Sequence, residues 1–147
     1  MIREYVVGFV FDQARERVLL IEKRRPKWQA GCLNGLGGKI EFDDPSPEAA
    51  MAREFQEEAG CRTLPAMWDR VLLLRDPEIR LYVMALASDA AFTNARATTD
   101  EALVRVRVDR LPHNIIANMR FTVPLAAYPR VIPGPENVLW TSLGEPA

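Results

Sequence analysis

Three glutamates, Glu54, Glu57 and Glu58, fall within five positions in the run REFQEEAG, directly after Arg53. A double glycine, Gly37-Gly38, stands upstream in GGKIEFDDPSPEAAMAREFQEEAG, residues 37–60. Successive residues of a helix rotate by about 100°, so with Glu54 at zero, Glu58 sits near +40° and Glu57 near −60°. The three carboxylates then share an arc of about 100°, while Ala52, Phe55 and Ala59 project from the other side. Like charges at these spacings destabilise a helix by a few tenths of a kcal/mol per pair, and the negative end of the helix dipole adds to the repulsion. One reading is a solvated acidic face. The other is a site for a hard divalent cation such as Mg²⁺, which takes clustered carboxylate oxygens and cancels their repulsion. The glycines can bring bare backbone close to such ions or to a phosphate chain. Carboxylates, cation and glycine loop together describe a phosphate-processing site, with metal ions bridging phosphate oxygens and activating water. No Ser/His/Asp or Cys/His set competes for the role of nucleophile, which favours direct attack by water.

These groups need a scaffold. YVVGFVFD (5–12), rich in Val and Phe, reads as a buried strand, and RVLLIEKR (17–24) as its antiparallel partner across the turn DQARER. RPKWQAGCLNGLGG, punctuated by Pro and Gly, reads as loop, short strand, loop. A helix follows DDPSP, with Ser46 as N-cap, Pro47 at the first helical position, Glu48 in the first turn and Gly60 ending it. WDRVLLLRD and EIRLYVMALAS form a strand pair joined at Asp76-Pro77. LVRVRVDRL (103–111) alternates as a half-buried strand. NIIANMRFTVPLAAY (114–128) has helical spacing through Ile115, Ile116, Met119 and Leu125, with Pro124 as a bend or break. From Pro129 the Pro-rich tail is expected to wrap the surface. The order of strands and helices predicts one domain over 1–147, a mixed α/β sandwich.

Nineteen Lys and Arg against twenty Asp and Glu give a net charge of −1, without the basic excess of a protein that tracks long nucleic acid. A small anionic substrate is the more economical partner, bound by a monomer or homodimer. No apolar run approaches the roughly 18 residues of a membrane span. The N-terminus MIREYVVGFVF carries charge within its first four residues and has no small-residue cleavage site, so a cytoplasmic protein is expected. Cys32 and Cys61 make no C-x-x-C pair and read as free thiols in a reducing compartment.

The stretch resembles the signature of the Nudix hydrolase family, G-x5-E-x7-R-E-U-x-E-E-x-G-U, where U is a bulky apolar residue. The matching elements are Gly38 and Arg53-Glu54-Phe55-Gln56-Glu57-Glu58-Ala59-Gly60, with Cys61 at the last apolar position. The signature covers about 24 residues, and GGKIE before it resembles the MutT-type members. The sequence departs from the pattern between the two halves. Pro45 stands where the first glutamate belongs, and the gap from Gly38 to Arg53 is one residue too long. The simplest repair places an extra residue within DDPS and lets Asp44 stand in for that glutamate, which in the family mainly supports the motif's arginine and loop.

The resemblance implies a mixed sheet between helices, a loop–helix–loop signature, and hydrolysis of a nucleoside diphosphate linked to another moiety. It assigns Glu54, Glu57 and Glu58 as Mg²⁺ or Mn²⁺ ligands, with the carbonyl of Gly38 or Gly37 as a further candidate and Arg53 orienting the carboxylates. Glu101, before the penultimate strand, is either a further metal ligand or general base, as in related enzymes, or a loop charge. Lys23, Arg24 and Arg25 follow the second strand and are candidates for holding terminal phosphates, with solvated surface as the alternative. Gly37, Gly38 and Lys39 join the substrate-binding set. Asn34 and Asn118 resemble amides that read a purine edge in relatives acting on oxidised purine nucleotides; each can also be a plain surface amide. Phe121 and Trp28 are candidates for stacking on a base, though core packing is the commoner role of an aromatic. Trp68, Trp140 and His113 are read as structural. The leading expectation is a MutT-type (d)NTP pyrophosphohydrolase, with oxidised guanine nucleotides favoured. The alternatives are an ADP-ribose or nucleotide-sugar pyrophosphatase and, supported by the altered loop at Asp44, a non-catalytic nucleotide sensor.

Overall fold

The Val- and Phe-rich segment near the N-terminus becomes β1 (Arg3–Phe11), the strand around which the sheet is organised. A computed structural model describes residues 1–128 and 138–140. β1 runs parallel to β6 (Ile79–Ala87) over its whole length, from Arg3↔Ile79 to Phe11↔Ala87. On its other edge it pairs with β2 (Arg17–Glu22) only at Val10↔Leu19 and Phe11↔Val18. There the hairpin opens, and the segment of β3 (Leu33–Asn34) and β4 (Leu36–Lys39) enters the gap. β3 pairs with β2 and β4 with β1, both antiparallel. This wedge brings Gly37 and Gly38 into the middle of the sheet, opposite Val7 and Val6.

β5 (Asp69–Arg75) joins β6, and β7 (Leu103–Arg107) joins the free edge of β2, both antiparallel. β8 (Val138–Trp140) adds a parallel strand to β5. Part of the segment expected to wrap the surface therefore extends the sheet, and the remainder lies outside the described residues.

One face of the sheet buries Val6, Val10, Leu19 and Met84 against α1 (Pro47–Ala59) and α2 (Asp89–Asn94). The other buries Phe9, Phe11, Leu20 and Val83 against α3 (Met119–Ala127). Alternation along β1 sends Val6 and Val10 to one side and Phe9 and Phe11 to the other, as the period of a strand requires. The expected mixed α/β sandwich is present.

α1 starts and stops as its sequence dictates. The Ser46 hydroxyl accepts from the Ala49 amide at 3.1 Å, Pro47 opens the helix, and Gly60 ends it at φ 64°, a left-handed conformation that suits glycine. Ala52, Phe55 and Ala59 are buried, as the helical arc predicts. Two elements differ from expectation. α3 begins at Met119 rather than Asn114, because residues 114–116 are used to pair with Leu33, whose amide donates to the Asn114 carbonyl. Pro124 sits inside α3 without ending it. The other difference is α2, too short at six residues to give a periodic signal.

Candidate active site

Arg53 leaves the exposed side of α1 and reaches back over the loop before it. Its Nε and Nη2 donate to the two oxygens of Asp44 at 3.0 and 2.8 Å, a bidentate pair. Nη2 also donates to the Lys39 carbonyl at 3.1 Å, and Nη1 to Glu54 at 3.0 Å and Glu57 at 3.3 Å. The hydrogen bonds to Asp44, and then Glu54, raise the guanidinium above its ordinary value. In turn the Arg53 hydrogen bond holds the Asp44 carboxyl below the usual range. Asp44 also accepts from the Glu41 amide at 2.8 Å, so it closes its own loop while it holds the arginine. The substitute expected from the lengthened loop is present, and a half-buried Asp makes both contacts.

Glu58 projects from the same helix toward β4, where it accepts from the Gly37 amide at 2.8 Å. Glu54 lies against Gly38, and a Cβ there would stand 2.5 Å from its Oε1. Glycine at 38 is therefore what lets this carboxylate approach the strand. Burial pushes the Glu58 carboxyl up to about 7; neighbouring Glu54 and Glu101 add to this, and the Gly37 amide and Lys23 oppose it. Burial likewise raises Glu54. Glu57 is more exposed and turned to Arg53.

This donor set has the chemistry a hard divalent cation needs. Two desolvated, mutually repelling carboxylates sit beside glycine backbone, and a cation would relieve their repulsion. The three glutamates are nevertheless not gathered on one point. Among the described residues no group of three or more His, Cys, Asp or Glu side chains is drawn together as a metal site. Arg53 engages Glu54 and Glu57, whereas the Gly37 amide engages Glu58.

Glu101 is buried, 6% exposed, just before β7. It accepts from the Arg24 amide at 2.6 Å and from Lys23 Nζ at 3.2 Å. Burial works to raise its carboxyl, but these donors together hold it below the ordinary value. Its neighbour Asp100 pairs with Arg25 at 2.6 Å and Arg24 at 3.4 Å. The Asp100-Glu101 pair thus fixes the segment 23–25 in place. Of that segment, Lys23 alone faces the cleft beside Glu58.

The cleft has a volume of about 650 Å³ and lies between the sheet and the start of α3. It gathers Lys23, Asn34, Gly37, Gly38 and Asn118 from the expected set. Arg24, Lys39 and Phe121 are not among its lining residues. Asn34 is already engaged: its Nδ2 donates to Gln29 at 3.0 Å and its Oδ1 accepts from the Gly35 amide at 2.8 Å. Asn118 occupies the N-cap of α3 rather than its body, and its side chain makes no capping bond. Trp28 is no core aromatic: it is 73% exposed at the cleft, because the short 3-10 helix Lys27–Gln29 lies outside both apolar clusters. Tyr5, Gln29 and Arg3 also line the cleft, and sequence reasoning passed over all three. Tyr5 was hidden in an apolar strand, and nothing in the sequence marks Gln29 or Arg3. The acid beside Glu101 in TTDE was the available signal for Asp100.

Among the described residues no helix is long and apolar enough to cross a membrane. A family model described as NUDIX domain matches residues 1–121. No curated protein matches the chain. Among solved structures, it is similar to MutT from a study of the fish pathogen Aliivibrio salmonicida and of Vibrio cholerae, with a TM-score of 0.67 and 20% identity. That match covers 86% of this chain and 98% of the other. It is also similar to a MutT NUDIX hydrolase from Burkholderia pseudomallei, with a TM-score of 0.63, 25% identity and coverage of 84% and 97%. With the signature helix, the arginine–aspartate latch and the wedged glycine strand in place, the chain belongs to the NUDIX family and is a Nudix hydrolase of MutT-like fold.

Proposed function

We propose that the chain hydrolyses a nucleoside or deoxynucleoside triphosphate to the monophosphate and pyrophosphate, with Mg²⁺ or Mn²⁺ as cofactor. The observation that carries this reading is one cleft with two kinds of lining residue, next to the acidic helix. Lys23, Gly37 and Gly38 stand beside the carboxylates Glu54 and Glu58, and Asn34, Asn118 and Trp28 line the same cavity. Such a site suits a polyphosphate joined to a flat, hydrogen-bonding base.

Glu54, Glu57 and Glu58, with the Gly38 carbonyl, would hold the cation. When bound, it supplies charge neutralisation on the phosphate oxygens and lowers the pKa of water. Arg53 keeps Glu54 and Glu57 oriented, and Asp44 keeps Arg53 in place. Lys23 offers a positive charge to the phosphates and is held by Glu101, whose role here is to position the lysine. A cytoplasmic setting suits the two free cysteines, Cys32 and Cys61.

An ADP-ribose or nucleotide-sugar substrate is the second reading. Arg3, paired only loosely with Glu78 at 3.6 Å, lines the cleft and could meet a further anionic or sugar group. The sensor alternative loses its support, since Asp44 makes the bidentate contact with Arg53 that the loop requires.

The test is product analysis with Mg²⁺ on 8-oxo-dGTP, the ordinary dNTPs, ADP-ribose and a dinucleoside polyphosphate, comparing wild type with Glu57→Gln. Glu57 is exposed, so its loss should spare the fold. Turnover of a triphosphate to monophosphate and pyrophosphate, abolished in the variant, is expected. Turnover confined to ADP-ribose would select the second reading, and silence throughout would overturn both.

A further inference from the structure

The last turn of α1 is an unfavourable place to end a helix. It carries Glu57 and Glu58 and no basic residue, so their charges add to the negative end of the dipole. The last four carbonyls of a helix also lack partners inside it, here those of Gln56, Glu57, Glu58 and Ala59. Each is nevertheless satisfied. Gly60 donates its amide to Gln56 at 3.0 Å, and the other three donors come from one segment far along the chain. The Arg96 amide donates to Ala59 at 2.9 Å, the Thr98 amide to Glu58 at 3.4 Å, and the Thr98 hydroxyl to Glu57. Thr98 thus serves two of the four carbonyls, both on residues whose carboxylates would hold the cation.

The same segment is anchored on both sides. Before it, Arg105 clamps the end of α2 through the Phe92 and Ala95 carbonyls at 2.8 and 2.9 Å. After it, the Glu101 amide donates to the Thr99 hydroxyl at 3.1 Å. Glu101 in turn holds Lys23 and the Arg24 amide, and Asp100 holds Arg24 and Arg25. Residues 96–101 therefore form a strap from the end of α1 to the lysine of the cleft. Thr98 is not among the cleft-lining residues, so it acts through the helix rather than on a substrate.

We propose that Thr98 is a positioning residue: its hydroxyl fixes the last turn of α1, and with it the Glu57 and Glu58 carboxylates, against the strap that holds Lys23. The proposal rests on the metal-dependent hydrolase reading, and its test separates the two. Removing a group that orients metal ligands from behind lowers metal affinity or activity by about 10- to 100-fold. An exposed hydroxyl belongs at the low end of that range.

Thr98→Val deletes the hydroxyl but keeps the shape and the backbone amide, and Thr98→Ser keeps the hydroxyl. Thr98 is exposed, so neither change loads the core. Thr63→Val makes the same chemical change at a hydroxyl that accepts from the Trp68 indole at 2.8 Å, and is the control for lost stability alone. Mn²⁺ alone is titrated into each full chain by electron paramagnetic resonance. Kinetics follow on the best nucleotide of the panel, and hydrogen exchange is read at the Arg24 amide. Thr98→Val is expected to bind Mn²⁺ about tenfold more weakly and to lose kcat about tenfold, with KM within about twofold. Thr98→Ser should restore both, and Thr63→Val should change neither. The Arg24 amide, which donates to Glu101, should exchange faster in Thr98→Val alone. Unchanged Mn²⁺ affinity and kcat in Thr98→Val would overturn the proposal, as would equal losses in the Ser variant or in Thr63→Val. A wild type without Mn²⁺ affinity would overturn it too. A wild type that binds Mn²⁺ and turns over no nucleotide would remove the hydrolase reading instead. The Mn²⁺ affinities and the Arg24 exchange would then still decide for or against Thr98.

Discussion

Beside the cleft, on α1, Arg53 donates to Asp44, Glu54, Glu57 and the Lys39 carbonyl, and Glu58 is pinned to the Gly37 amide. In the cleft the Asn118 amide makes no hydrogen bond among the described residues and the Trp28 ring is mostly bare. The first region spends its polar groups on itself and is preorganised. The second keeps them available for a ligand. Reaction chemistry needs fixed geometry, because a small displacement of a catalytic group loses rate. Discrimination needs groups whose satisfaction depends on the right partner. Substitutions at the less exposed, bonded positions of the acidic region should therefore cost stability and activity together, and those around Trp28 and Asn118 should change substrate affinity alone.

The largest effect is expected at Gly37. A Cβ there would run into the Val6 backbone carbonyl, in the middle of the β1–β4 pairing. Gly37→Ala should lose about 3 kcal/mol in urea denaturation, since backbone cannot step aside as a side chain can. Asp44→Asn comes next. It weakens a charged bidentate pair and should cost about 2 kcal/mol, with activity falling roughly 10- to 100-fold as Arg53 loses its orientation. A stability loss without an activity loss would mean that the latch serves the loop alone.

A smaller effect follows from acid. Because its hydrogen bond with Arg53 depresses the Asp44 carboxyl, that stabilisation is full above the unfolded value, about pH 4, and disappears as pH falls through the lower folded value. The stability gap between wild type and Asp44→Asn should hold above about pH 4 and narrow below it. A gap that is constant down to the acid transition would deny the depressed carboxyl. The smallest change in stability belongs to Asn118→Ala, within about 0.5 kcal/mol because the side chain caps nothing. Its KM should still rise about 3- to 10-fold, the size of one lost hydrogen bond. A stability loss there comparable to that of Asp44→Asn would erase the contrast between the two regions.

The same contrast explains what could be read in the sequence. Glu54, Glu57, Glu58 and Arg53 lie on one helix, so a rotation of about 100° per residue was enough to group them. Ser46 and Gly60 announced where that helix begins and ends. Asp44 could be inferred because it lies within the same short segment. The region around Trp28 and Asn118 was less legible because it is assembled from β1, the 3-10 helix at 27–29, β3 and the start of α3, which meet only through the sheet. For Trp28 both a stacking and a core role stayed open, because local sequence does not say which side of a loop will be covered. Arg24, a phosphate candidate because it follows the second strand, and Lys39, next to the double glycine, fall outside the cleft lining, as adjacent positions in extended chain point opposite ways.

The order of pairing along β1 has a consequence for how this chain leaves the ribosome. β1 shares only two register positions with β2 and four with β4, and its long partnership, Arg3↔Ile79 through Phe11↔Ala87, must await residues 79–87. Translation adds about 5–20 residues each second, so β1 remains an apolar, unsatisfied edge for several seconds after it emerges. Nascent chains halted before residue 79 should engage holdase chaperones through the segment YVVGFVF, and chains extended past residue 87 should release them.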